Sequence, residues 1–383
     1  MPITNVGLSQ TNASQDKSKV AESIGLRLSS TGLQLASGSR VLLQCQFISI
    51  GSEAARILQN SHAGRVLATF ERSFYVQCDD GILCIGLSSL GEGPLHMLLA
   101  LTKDQLPAQI ATGLLVDLSV VAPECVRDVV AQCHRSADED NRTLYSGKVV
   151  SNVLSTLEVE NVQHVIQSVV SREQQGFSWI VNCARWQDHT AWFDVSTGSS
   201  DALNASLRRQ CLSVILGLSL WLEKSLSNYD EYSQRTSVGC SEHDVVQPTP
   251  SVGAISGESL DVSALLGAGP GLTPAGDDLL AGVMLALHRV DRADLSVLIW
   301  AWLEPLLITR TNPISAAHLR LAARGQCSAA ALDLLERVFN GSCVSAADDV
   351  QAAAADIESR SDNIGASSGW DMLAGMCLVL RAL

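Results

Sequence analysis

Lysine is scarce in this chain of 383 residues: Lys17, Lys19, Lys103, Lys148 and Lys224 are all it has. Together 26 lysines and arginines face 40 aspartates and glutamates, a formal net charge of −14. Nucleic acid and anionic membrane surfaces both require a basic face, so neither is expected as a partner. What positive charge there is falls mainly on arginine, whose planar fork suits carboxylate or phosphate. Long apolar runs are missing as well. A membrane span needs about 18 or more, and the longest stretch, near Leu295 to Ile308, is broken by Glu304-Pro305. Residues 1–19 are polar and lack the apolar core of a signal peptide, so a soluble, cytoplasmic chain is expected. The eleven cysteines include no C-x-x-C pair and the eight histidines no H-x-x-x-H pair. Cysteines such as Cys84 and Cys377 sit among apolar neighbours and read as buried free thiols of a reducing compartment. Cys133-His134 has no second pair at zinc spacing, and neither a metal nor a cofactor is expected. The one dense glycine loop lacks the Lys-Ser/Thr ending of a phosphate-binding Walker loop. It also lacks the preceding strand of a dinucleotide fingerprint.

That loop is the most informative feature present. Gly267-Ala-Gly269-Pro-Gly271-Leu-Thr273-Pro274-Ala-Gly276-Asp277-Asp278 runs directly into the apolar Leu279 to Leu287. Glycine lets a ligand approach the main chain closely. Thr273 fits an N-cap and Pro274 the first helical position. The opening of such a helix offers unpaired N–H groups and the positive end of its dipole to a small anion. The motif recurs: Gly276-Asp-Asp278-Leu-Leu-Ala-Gly282 is matched by Gly369-Trp-Asp371-Met-Leu-Ala-Gly375, an offset of 93 residues (371 minus 278), preceded by Ser367-Ser368. Two loop-to-helix starts of one design suggest a duplicated unit or two walls of one site. The competing reading is that Asp278 and Asp371 only complement helix dipoles, at about 0.3–1 kcal/mol each. Then Ala-Gly would mark close helix packing.

A hydrophobic fraction of 46% against 17% charged residues describes a well-packed globular chain. Residues 1–38, rich in Ser, Gln and Asn, read as a flexible segment. Residues 39–125 read as an antiparallel β-rich, barrel-like domain, with two apolar runs around Asp79-Asp80-Gly81 as a hairpin signal. Residues 126–264 form a mixed segment. Val149 to Val170 and Ala202 to Leu226 have helical spacing. Phe177 to Trp186 and Thr190 to Val195 look like a strand pair, and Ser227 to Ser263 is a polar linker. Residues 265–383 read as a helical array with breaks at Asn312-Pro313, Gly325, Gly341 and Gly365. The expected class is therefore α+β, a β-rich N-terminal part followed by a mainly helical C-terminal part.

Asn312 should cap a helix beginning at Pro313, on which Ser315, His318 and Leu319 share a face. Arg310 either clamps a carboxylate bidentately or is a surface charge. His318 either exchanges protons near neutral pH or packs with one nitrogen satisfied. Gly91-Glu-Gly-Pro94 either reaches the same cleft or merely ends a strand.

Three blocks, Gly269 to Asp278, Thr309 to Ser315 and Ile364 to Asp371, resemble the signature segments of the AllH-type family, which contributes a subunit to oxamate carbamoyltransferase and whose members are also labelled putative carboxylases. They cover about the last third of the chain. The resemblance implies transfer of a carbamoyl group between carbamoyl phosphate and oxamate, giving oxalurate and phosphate, with companion subunits as partners. A carboxylase or a non-catalytic scaffold subunit is the alternative. Under this resemblance Arg310, Asp278, Asp371 and His318 are the catalytic candidates. Gly269, Gly271, Thr273, Gly276, Asp277, Asn312, Ser315, Ser367, Ser368 and Gly369 are the candidates for holding the small anionic substrate. The aspartates are awkward beside anions; they orient loop amides, bind a substrate amide or carry a hydrated divalent ion.

Overall fold

A computed structural model describes residues 25–29, 32–36, 41–43, 47–61, 63–100, 110–118, 143–170, 176–181, 202–227, 261–340 and 347–383. Ten strands, β1 (Gly25–Ser29), β2 (Gly32–Ala36), β3 (Val41–Leu43), β4 (Phe47–Gly51), β5 (Ala63–Thr69), β6 (Ser73–Cys78), β7 (Gly81–Leu87), β8 (His96–Leu99), β9 (Leu115–Asp117) and β10 (Thr143–Tyr145), form one mixed sheet. Its order is β10-β4-β8-β7-β6-β5-β9-β1-β2-β3. The hairpin expected at Asp79-Asp80 is present, with Cys78 paired to Gly81.

The sheet departs from the antiparallel barrel expected. Three ladders, β1 with β9, β4 with β10 and β7 with β8, are parallel. Among the described strands β3 and β10 are the two ends of the order, and no ladder joins them. A two-residue hairpin leaves a local signature, whereas parallel neighbours meet through longer connections that leave none. Strands β1 and β2 also lie ahead of residue 39, where the β region was placed; residues 1–24 lie outside the described part.

Along β7 the two-residue period of a strand decides which core each side chain joins. Leu83, Ile85 and Leu87 pack with Ala54, Ile57 and Leu58 of α1 (Ser52–Asn60). Ile82, on the other face, joins Leu95 and the apolar side of a C-terminal helix, Ile314, Ala317 and Leu321. Both faces of β7 are thereby covered.

The remaining helices are α2 (Thr156–Gln167), α3 (Ala202–Leu226), α4 (Ala275–Arg289), α5 (Ala293–Leu303), the single turn α6 (Leu307–Arg310), α7 (Pro313–Ala322), α8 (Ala329–Asn340), α9 (Ala347–Asp362) and α10 (Ser368–Ala382). Ser155 and Glu158 close a capping box at the start of α2. Asn312 caps α7 as expected, its Oδ1 accepting from the amides of Ile314 and Ser315 at 3.0 and 3.1 Å. Phe177 to Val181, read as the start of a strand, is instead a buried turn of 3-10 helix. Its aromatic composition suits a strand, but Phe177 and Trp179 are buried in the helical core, and tertiary packing overrides the propensity. The partner strand at 190–195 and most of the 227–263 linker lie outside the described residues.

Helices α4 and α10 are buried almost all round and form the centre of this half. They cross where the repeated motif places glycine. A Cβ on Gly282 would lie 2.1 Å from the Met372 carbonyl oxygen, and one on Gly375 would lie 2.1 Å from that of Leu279. Both pairs obey the same offset, 372 minus 279 and 375 minus 282 each being 93. The crossing is thus a local pseudo-twofold, with each copy of the motif presenting its glycine to the other's backbone. Sheet and helices are stitched together by backbone bonds: the amide of Ala329 to the carbonyl of Glu92 at 2.8 Å, that of Cys327 to Gly147 at 2.9 Å, and that of Val149 to Gly325 at 2.7 Å. Cys78, Cys84, Cys211, Cys327 and Cys377 are buried free thiols, and burial pushes Cys84 and Cys327 up to about 12.

Candidate functional site

The two helices cross at their midpoints, Gly282 and Gly375, and their openings also meet. Thr273 Oγ1 and Ser368 Oγ are 3.0 Å apart, a hydrogen bond between the two copies of the motif. Thr273 does not cap α4 as expected: Pro274 occupies the N-cap and makes no side-chain bond. The hydroxyl is turned instead to the opposite helix opening. The amides of the motif glycines are used internally and alike, Gly276 donating to the carbonyl of Ala268 and Gly369 to that of Ile364, both at 2.9 Å.

Asp277 acts as a clasp. It is 1% exposed, and its Oδ1 accepts from the Gly267 amide at 2.7 Å. Its Oδ2 accepts from the Ser315 hydroxyl at 2.6 Å and from the Thr311 hydroxyl. One carboxylate therefore joins the glycine loop, the connection after α6 and the first turn of α7. The loop passes so close that a Cβ on Gly267, at φ 75°, would lie 1.8 Å from the Arg310 carbonyl oxygen, and only glycine fits. Burial raises the Asp277 pKa, while its bonds to Gly267, Ser315 and Thr311 pull it down. Asn312 adds a further tie, its Nδ2 donating to the Leu272 carbonyl at 2.8 Å.

Asp278 and Asp371 are equivalent under the 93-residue offset, and the charge of Asp371 acts on Asp278. Asp371 is fully buried; its Oδ1 accepts from the Phe177 amide at 2.6 Å. The turn at Gly176, φ 55°, delivers that amide, with the space of a Cβ already taken by the carboxylate. Burial pushes the Asp371 pKa up to about 7, against the Phe177 amide and the Ser367 hydroxyl. Burial also raises Asp278 well above the usual carboxylate range. The Ser368 hydroxyl opposes this, the charges of Asp371 and Asp277 add to it, and the Thr273 hydroxyl opposes it weakly. The Oδ2 atoms of both Asp278 and Asp371 are buried with no hydrogen-bond partner. A buried carboxyl oxygen without a partner costs free energy. Two of them give the site its chemistry: two acids that burial raises above the ordinary aspartate value, near a half-buried rim of Thr273, Ser367 and Ser368.

The other expected site residues fall around this centre or away from it. Gly269 and Gly271 lie on the loop at positive φ, and Gly271 is exposed with open space beside it. Ser315 is buried against Asp277. Arg310 is exposed, and its charge helps lower the pKa of Asp261 after the Ser263 hydrogen bonds. His318 is directed to the sheet, its Nε2 lying 3.3 Å from Tyr75 Oη with the rings edge-on. Burial and the neighbouring His96 lower its pKa to about 4. Helix α7 thus separates two residues that share a helical stripe, Ser315 facing the aspartates and His318 facing β6. Gly91 to Pro94 joins β4, α1 and α8, with Ser49 Oγ donating to Glu92 Oε1 at 2.7 Å.

Sequence reasoning missed Gly267, Thr311, Gly176 and Phe177 as members of the site. Thr311 had a signal in the dense polar cluster before Pro313. The backbone amide of Phe177 had none, being 194 residues from its acceptor. Among the described residues, no group of three or more His, Cys, Asp or Glu side chains is arranged to hold a metal ion. No described helix is long and apolar enough to cross a membrane.

Neither a curated protein nor a solved structure matches the chain. Residues 265–380, which hold both copies of the motif and every aspartate of the site, match the family described as oxamate carbamoyltransferase subunit AllH. Over this helical segment, the last third of the chain, the sequence is similar to that family.

Proposed function

We propose that this chain supplies part of a carbamoyl-transfer site in a multi-subunit enzyme, moving a carbamoyl group between carbamoyl phosphate and oxamate with oxalurate and phosphate as the other pair. The observation that carries this reading is the meeting of two glycine-flanked helix openings through Thr273 and Ser368, near two carboxyls whose outer oxygens have no partner. Such a transfer depends on positioning and on stabilising negative charge as it develops. The hydroxyls of Thr273, Ser367 and Ser368, with two helix dipoles behind them, suit the phosphate. The glycine loop around Gly269 and Gly271 lets it approach. The objection that aspartates repel an anion weakens because burial shifts both acids toward their neutral forms, and a neutral carboxyl donates a hydrogen bond. Arg310, exposed at the edge of the loop, is placed to meet a carboxylate or an acidic group of a companion subunit.

A second reading has an observation in its favour. The amides of Gly276 and Gly369 are spent on Ala268 and Ile364, and Asp277 is spent on the loop. That is how a scaffold subunit would use these motifs. Calorimetric titration of the full chain with carbamoyl phosphate, oxamate and phosphate separates the two. Binding in the wild type, lost when Thr273→Val and Ser368→Ala are combined, supports the site. No binding to the wild type, together with full activity of an assembled complex carrying the double substitution, leaves only the scaffold.

A further inference from the structure

We propose that Asp278 and Asp371 form a donor–acceptor clamp for the planar amide end of a carbamoyl compound, with Asp278 giving a hydrogen bond to its carbonyl oxygen and Asp371 taking one from its NH2 group. This rests on the carbamoyl-transfer reading and assigns the part of the substrate that the two acids recognise.

Three observations lead there. The pseudo-twofold crossing at Gly282 and Gly375 puts the two acids in equivalent positions of one helix pair, close enough for the charge of Asp371 to act on Asp278. Each side chain is nineteen-twentieths or more buried, Asp278 at 5% exposed and Asp371 at 0%. Each keeps one oxygen, Oδ2, without a partner. Asp371 Oδ1 is engaged by the Phe177 amide, and the Ser368 and Thr273 hydroxyls lie near enough to Asp278 to favour its ionised form. The two motif copies thus each hold one buried carboxyl oxygen, Oδ2, that no protein group satisfies.

The chemistry of that pair selects its ligand. The carboxylate of oxamate presents acceptors alone, phosphate near neutral pH adds P–OH donors but no planar NH2, and an ionised carboxyl repels both anions. An amide end presents one acceptor and a planar NH2 donor, which two carboxyls match when one is protonated and the other ionised. The surroundings assign the roles. Asp278 feels the charges of both Asp371 and Asp277 in addition to burial, and all three favour its neutral, donating form. Asp371, with the Phe177 amide and Ser367 hydroxyl stabilising its ionised form, releases its proton first and accepts. Phosphate then sits outward, at the hydroxyl rim, with the carbamoyl carbon between rim and clamp.

Asparagine mimics a protonated aspartic acid, which makes the two substitutions unequal. In Asp278→Asn an NH2 donor stands where the O–H donor stood, and carbamoyl phosphate should bind within about threefold of wild type. In Asp371→Asn a donor replaces the acceptor, and the loss of a hydrogen bond to a charged group should weaken binding at least about tenfold. Phosphate affinity, read by the same calorimetry, should be unchanged in both. Difference infrared spectra of the wild type provide a test that needs no variant: carbamoyl phosphate should shift carboxyl bands that phosphate leaves in place. Equal binding of carbamoyl phosphate by Asp371→Asn and wild type, or carboxyl bands unmoved on binding, overturns the clamp while the carbamoyl-transfer reading stands. Absence of any binding to the wild type overturns both.

Discussion

Asp371→Asn also changes stability in a direction set by its burial. The carboxyl titrates at about 7 in the folded chain against 3.8 for an ordinary aspartate. A folded-state pKa raised in this way contributes stability that is complete below the ordinary value and is lost as pH rises through about 7. Roughly three pH units at about 1.4 kcal/mol each make the loss about 4 kcal/mol. Asparagine carries no titrating proton and keeps an Oδ1 for the Phe177 amide, so its curve lacks that slope. Urea unfolding of wild type and variant at a series of pH values from about 4 to about 8 reads the difference, with the other titrating groups common to both. The variant should be close to wild type at the acid end and more stable by about 4 kcal/mol at the alkaline end. Parallel curves, or a variant that loses ground as pH rises, would refute the reasoning. Asp371 would then be ionised in the folded chain with a counter-charge supplied by something else.

Gly282→Ala and Gly375→Ala each push a methyl group to within 2.1 Å of a backbone carbonyl oxygen, where no flexible side chain can yield. Each should cost about 3 kcal/mol or more in urea unfolding, by similar amounts because the crossing is pseudo-symmetric, and the double variant should be less than additive. Asp277→Ala strands the Gly267 amide and two hydroxyls; a loss of about 3 kcal/mol and faster hydrogen exchange at Gly267 are expected. His318→Phe should keep the ring packing on Tyr75 and reduce sensitivity to acid. A histidine held down to about 4 costs the folded state stability as pH falls from about 6.5 toward 4. Acid unfolding followed by circular dichroism checks it, an unchanged midpoint counting against the burial of the imidazole.

Much of the helical half could be read from residues alone. Asn312-Pro313 starts α7, and Ala202 to Leu226 is one long helix, because caps and helical periodicity are local signals. The repeated Gly-x-Asp-x-x-Ala-Gly motif announced two like helix starts. The sheet was less legible. Its hairpin at Asp79-Asp80 is local and was expected, whereas its parallel ladders arise from longer connections. Phe177 to Val181 shows the limit most plainly: strand-like composition settled as a turn because its aromatics are buried against helices far along the chain. Within the site, Asp278 and Asp371 were identifiable as candidates, but Thr273 as a cross-motif partner rather than a cap was not. His318 and Ser315 share a stripe in sequence and serve opposite sides of α7.

By itself the sequence determined which residues open the helices, which are apolar enough to be buried, and that one motif occurs twice. Those properties depend on neighbours a few positions away. The tertiary structure decided that the two copies cross at Gly282 and Gly375, and so brought the charge of Asp371 to act on Asp278, with burial lifting both acids. An acid's proton affinity is set by what surrounds it in space, and here those surroundings come from segments nearly two hundred residues apart.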